Sequence, residues 1–92
     1  GVMNHLSLKQ FRYFEALARL GHFGRAAEVC AISQPALSMQ IKEMEEQLGL
    51  VLFTRNSRSM QLTPAGSVLL EATAEALREA LARGPITTLW RS

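Results

Sequence analysis

Two groups of residues in this sequence have types and spacing suited to gripping an anion. Gln34, Pro35, Ser38, Met39 and Lys42 recur on one side of a helix that opens at Ser33, and Arg55 and Arg58 lie in the polar stretch Arg55-Asn56-Ser57-Arg58-Ser59. The first group contains no carboxylate. The acids of the same helix, Glu43, Glu45 and Glu46, are confined to its C-terminal half, so the end with free backbone N–H groups and the positive dipole does not repel phosphate. Such polarity suits a helix that enters nucleic acid end-first, although a Ser cap and a polar face also suit any small helical domain.

Other chemistry lacks its parts. The sequence shows no paired carboxylates, no nucleophile with a base, no metal cluster and no phosphate-cradling glycine loop, so an enzyme is the least favoured class. The single cysteine, Cys30, has neither a disulfide partner nor a zinc site around it, and its neighbours Val29 and Ile32 mark it as a small buried hydrophobe. No metal and no cofactor are expected. His22, between Gly21 and Phe23, is expected to be a turn residue with one solvated nitrogen. Arg25 has two open readings, a phosphate contact or a solvated charge.

Several elements must position these groups. Ser7-Leu8-Lys9-Gln10 has the form of a capping box, and Leu8, Phe11, Phe14, Leu17 and Ala18 follow at helical spacing, which predicts a first helix ending near Gly21 with its aromatics in the core. A second helix runs from Phe23 to about Val29, with small Ala26 and Ala27 admitting a close neighbour and a turn at Cys30-Ala31-Ile32. Ser33 caps the third helix, Pro35 sits in its first turn, and Leu37, Ile41, Met44 and Leu48 form its core face. Gly49 ends it.

The period then changes. Leu50 to Thr54 and Met60 to Thr63 predict a small hairpin whose tip carries Arg55 and Arg58, a wing placed to follow a phosphate backbone. Thr63-Pro64 starts a long helix that Gly84-Pro85 stops. About 20 residues at 1.5 Å rise make a rod of roughly 30 Å, too long for so small a core to cover. Leu70, Ala74, Leu77 and Leu81 form a two-in-seven stripe; folding back on the core accounts for the Val68 to Leu70 end, and dimerisation accounts for the rest.

Composition agrees with one soluble domain. The chain has 92 residues, 48% hydrophobic and 20% charged, with a net charge of +2, so charge alone only hints at an anionic partner. Distribution is more informative, because no Asp or Glu occurs from Gln47 through Leu70, the stretch that holds both wing arginines. No apolar run approaches the ~20 residues of a membrane span, and no signal peptide is evident, so no membrane partner and a cytoplasmic location are expected. Gly1-Val2 and the segment 85–92 are expected to be vector-derived or disordered ends.

From Leu8 to about Gly84 the sequence resembles the N-terminal DNA-binding domain of LysR-type transcriptional regulators. The resemblance rests on Leu8-x-x-Phe11-x-x-Phe14, on Phe23-x-x-Ala26-Ala27, on Ser33-Gln34-Pro35-Ala36-Leu37-Ser38-x-Gln40-Ile41, on Glu45-x-x-Leu48-Gly49-x-x-Leu52-Phe53-x-Arg55 and on Leu62-Thr63-x-x-Gly66. It implies a mainly α fold: a winged helix-turn-helix over residues 7–63, a linker helix for dimerisation over 64–84, and a tail.

It further implies that Ser33, Gln34, Pro35 and Ser38 lie at the major groove of double-stranded DNA and Arg55 at the minor groove or backbone. The chemistry of these side chains suits those places. Gln34 can pair with adenine N6 and N7, Pro35 can meet a thymine methyl, and the serines can bond phosphate. A homodimer on a pseudo-palindromic site follows, with any small-molecule or redox effector acting through a C-terminal domain absent from this stretch.

Met39 stands where many members have arginine, and His22 and Gly24 replace the Ser and Thr common around Phe23. His22-Phe23-Gly24-Arg25 with Met39 has some likeness to the peroxide-sensing branch. The competing function is a winged-helix module that binds protein rather than DNA; the acid-free segment around Arg55 and Arg58 argues against it.

Overall fold

The computed structural model describes residues 7–55 and 60–83. The expected tip residues Asn56-Ser57-Arg58-Ser59 and the segment 84–92 lie outside the described residues. Element order is α1 (Leu8–Leu20), α2 (Phe23–Cys30), α3 (Gln34–Leu48), β1 (Phe53–Arg55), β2 (Met60–Leu62) and α4 (Pro64–Arg83).

The helix ends are written in local chemistry. Ser7 Oγ accepts from the Gln10 N–H while Gln10 Oε1 accepts from the Ser7 N–H, which completes the capping box of α1. Gly21 and Gly49 close α1 and α3 in the left-handed conformation. α2 extends one residue beyond the expected end, so Cys30 is helical. Ala31 then takes the left-handed position at φ 58°, and its N–H and that of Ile32 bond the last carbonyls of α2.

Three helices pack around one core. Phe14 and Leu17 of α1, Ala26 and Ala27 of α2, and Leu37, Ile41 and Met44 of α3 are buried, with Leu48 half-buried at the end of its stripe. Small Ala26 and Ala27 let α2 approach its neighbours, as their types imply. Leu8 departs from the expected stripe: it is 84% exposed, while Gln10 of the same turn is buried and Phe11 packs on the core. Cys30 is buried among these apolar groups.

β1 and β2 pair antiparallel with Phe53 opposite Leu62 and Arg55 opposite Met60, a shorter ladder than the apolar runs suggest. The ladder is fastened to the helices at Leu52 and Phe53. The Phe14 and Phe53 rings meet at 5.6 Å in a tilted arrangement. Glu45 Oε2 accepts from the Leu52 N–H at 2.8 Å and the Phe53 N–H at 3.4 Å, while the Leu52 side chain is fully buried. The Leu52 carbonyl accepts the Thr63 N–H at 3.0 Å, and Thr63 Oγ1 accepts the Gly66 N–H as the cap of α4.

α4 has 20 residues, and the molecule extends 43 Å along its longest axis against 26 and 21 Å across. Leu69 and Leu70 pack on the core; Val68, expected there too, faces solvent at 67% exposure. Beyond this contact Leu77 and Leu81 are 51% and 53% exposed.

Gly66 is the tightest point of the α4 junction. A Cβ there would lie 2.3 Å from the Leu52 carbonyl oxygen, a backbone atom held by its own hydrogen bond. Gly66→Ala is therefore expected to destabilise the fold by about 2 kcal/mol through overpacking despite alanine's higher helix propensity. Urea denaturation of the two proteins checks this: the variant's midpoint falls, and an unchanged or raised midpoint would show that α4 can draw away from Leu52.

Candidate nucleic-acid interface

The exposed end of α3 is built from its cap outward. Ser33 is extended at φ −75° and ψ 156°, and its Oγ accepts the Ala36 N–H at 3.2 Å. Pro35 occupies the first turn without forfeiting a hydrogen bond, and that turn holds no acid. Because Leu37, Ile41 and Met44 are fully buried, the rotation of α3 about its axis is fixed. Its other face then presents Ser33, Gln34, Pro35 and Lys42 to solvent, with Met39 61% exposed and Ser38 half-buried.

Arg55 comes to the same place from the sheet. It is exposed at the end of β1, and its guanidinium lies over the Phe23 ring at 5.1 Å from the centroid. An exposed cation–π contact is worth about 0.5–1 kcal/mol, enough to favour one position of a long side chain without immobilising it. Phe23, Gln34, Pro35, Ser38 and Arg55 together line one open depression. Arg55 thus sits beside the first turn of α3 rather than at a remote tip. Lys42 and Met39 lie further along the exposed face, and Arg58 falls outside the described residues.

Sequence reasoning gave no role to Phe23 or to the Glu45 carboxylate. Phe23 was visible only as part of a motif, and its aromatic face toward Arg55 depends on a contact between α2 and β1. Glu45 carried one signal, its distance of seven and eight residues from the two N–H groups that it accepts, but only the turn at Gly49 converts that distance into contact.

His22 caps α2: its Nδ1 accepts the Arg25 N–H at 3.2 Å. This agrees with a turn-region histidine and fixes the ring at the entry to α2. Arg25 is exposed. Among the described residues no group of three or more His, Cys, Asp or Glu could hold a metal ion, and no helix is long and apolar enough to cross a membrane.

The α4 stripe divides in two. Leu70 packs against the chain's own core and Ala74 is half-buried, whereas Leu77 and Leu81 remain uncovered. Around them the surface is polar, including an exposed Arg78–Glu75 ion pair one turn apart.

A three-helix core with a capped α3 whose first turn holds no acid, and a two-stranded wing, define the winged helix-turn-helix class. Residues 8–67 match the profile of the bacterial regulatory helix-turn-helix protein, lysR family, and the chain belongs to that family. The HTH-type transcriptional regulator XapR of Escherichia coli (strain K12) is 58% identical over 64 residues, covering 70% of this chain and 22% of that protein. Full-length OxyR from Pseudomonas aeruginosa superposes with a TM-score of 0.79 at 38% identity, covering 95% of this chain and 28% of that one. The BenM DNA-binding domain in complex with benA site 1 DNA superposes with a TM-score of 0.80 at 33% identity, over 95% of this chain and 98% of that one. The chain thus spans about a quarter of the full-length relatives and nearly all of an isolated DNA-binding domain. Likeness extends beyond OxyR, since XapR shares more identities over its shorter match.

Proposed function

We propose that this chain binds double-stranded DNA sequence-specifically, as the dimeric DNA-binding domain of a LysR-type transcriptional regulator. The observation that carries the reading is the juxtaposition of Gln34, Pro35 and Ser38, at an α3 terminus free of acids, with Arg55 held over Phe23. The neighbouring structure of the BenM domain with benA site 1 DNA supports it.

In this reading α3 enters the major groove by its N-terminal end. Gln34 reads a base edge, Pro35 meets an apolar base surface, and Ser33, Ser38 and Lys42 bond phosphates, with Met39 supplying apolar contact. Arg55 and Arg58 follow the backbone or minor groove. Residues 7–63 form the recognition domain and 64–84 the linker helix, whose uncovered Leu77 and Leu81, continuing the stripe of Leu70 and Ala74, pair with those of a second copy. Two recognition helices then address a pseudo-palindromic site at half-sites about one DNA turn, roughly 34 Å, apart.

The protein is no enzyme in this account, acts in the cytoplasm, needs no cofactor, and takes any effector signal through a domain beyond this chain. A protein-docking module would have no reason to keep Gln47 through Leu70 free of carboxylates.

Selection of bound sequences from a random DNA pool, followed by titration, tests this reading. Gln34→Ala should cost about 1–3 kcal/mol on the selected site and relax base choice at one position. Arg55→Ala should weaken all sequences nearly alike and flatten the salt dependence by about one unit of slope. A pool that enriches no sequence would refute DNA reading, and a base-selective Arg55→Ala would reverse the roles of helix and wing.

The dimer is tested separately. Light scattering of the unaltered chain well above micromolar concentration should give twice the chain mass, and Leu77→Glu should give monomers by placing a charge in the apolar seam. A monomeric unaltered chain would assign the stripe to another partner.

A further inference from the structure

α2 begins with a glycine that its backbone does not require. Gly24 is the second residue of the helix, and positive φ occurs only at Gly21, Ala31 and Gly49 among the described residues. Space is what Gly24 provides. A Cβ there would lie 2.9 Å from His22 Cε1, closer than side chains settle, and tightly against His22 Nδ1 at 3.2 Å and Gln34 Nε2 at 3.0 Å.

Of the two groups bordering this space, one is tethered and one is not. The His22 ring caps α2 through Nδ1, so moving it gives up the hydrogen bond to the Arg25 N–H. Gln34 is exposed, and its carboxamide is the free end of a flexible side chain. A Cβ at position 24 therefore crowds both the His22 ring and the Gln34 carboxamide, and the carboxamide, at the end of a flexible side chain, is the group freer to turn aside. We infer that Gly24 is a positioning residue for base selection: it leaves the slot against α2 in which the Gln34 carboxamide rests, and so sets the direction from which that carboxamide meets a base. The inference rests on Gln34 being a base-reading residue.

Direction matters because a carboxamide discriminates adenine only when its donor and acceptor face N7 and N6 together. A displaced carboxamide keeps its polarity and loses the two-point match. The backbone of α2 keeps its helical form, since alanine is the better helix former there, and the Arg55 guanidinium is placed by β1 and the Phe23 ring rather than by Gly24.

The experiment compares the unaltered chain, Gly24→Ala, Gln34→Ala and the double variant, each against the selected DNA site and its three single-base variants at the position that Gln34→Ala relaxes. Gly24→Ala should still unfold cooperatively, close to the unaltered chain, and retain its salt slope, while base preference at that position falls or changes by roughly tenfold. Added to Gln34→Ala, it should change nothing there. In the free protein the side-chain amide resonances of Gln34 should shift in Gly24→Ala.

Unchanged selection in Gly24→Ala, at a position that Gln34→Ala does relax, overturns the inference and leaves the proposed function standing. An equal effect of Gly24→Ala with and without Gln34 also overturns it, by showing that position 24 acts on DNA directly or through the fold. If the unaltered chain selects no sequence, both fall together.

Discussion

Leu52 ties together three parts of the molecule that are separate in sequence. Its N–H donates to the Glu45 carboxylate on α3, its side chain is fully buried among the helices, and its carbonyl accepts the Thr63 N–H at the start of α4. Gly66 lets α4 close on that carbonyl. One residue therefore fixes the recognition helix, the wing and the linker helix relative to one another. Hydrogen bonds to charged groups contribute about 1.5–3 kcal/mol, a sizeable share of the stability of so small a domain.

This junction matters for reading because DNA contacts demand fixed separations. Arg55 stands three residues beyond Leu52, so the position of its guanidinium beside Gln34 and Ser38 follows from where Glu45 holds the entry to β1. Phe23 then steadies the guanidinium from α2. The surface proposed to meet DNA is thus assembled from α2, α3 and β1. Lengthwise, α4 leads away from it with Leu77 and Leu81 uncovered, which suits a second copy placed on a neighbouring half-site.

What the sequence disclosed is what local chemistry determines. Ser7, Ser33, Gly21 and Gly49 mark helix ends because capping involves atoms within one turn, and Leu37, Ile41 and Met44 reveal a buried face because helical period is a local property. Where a stripe stops meeting the core is not local: Leu8 has the right spacing and stays exposed, and Val68 faces solvent while Leu69 and Leu70 beside it pack inward. Contacts across a turn were hidden for the same reason. The Glu45 bond to Leu52, the Phe23 face under Arg55 and the space beside Gly24 each depend on the packing of two or more elements, so residue type alone assigned them nothing.

Native-state hydrogen exchange at the Leu52 amide, in the unaltered chain and in Glu45→Ala, tests this account most directly. If Glu45 holds the junction, the Leu52 amide exchanges as slowly as the core amides of α3 in the unaltered chain, and the substitution accelerates it far more than it accelerates Ile41 or Met44. A Leu52 amide that already exchanges like an open loop while α3 stays protected, or one whose protection survives Glu45→Ala, would contradict the claim that this contact joins helix and wing.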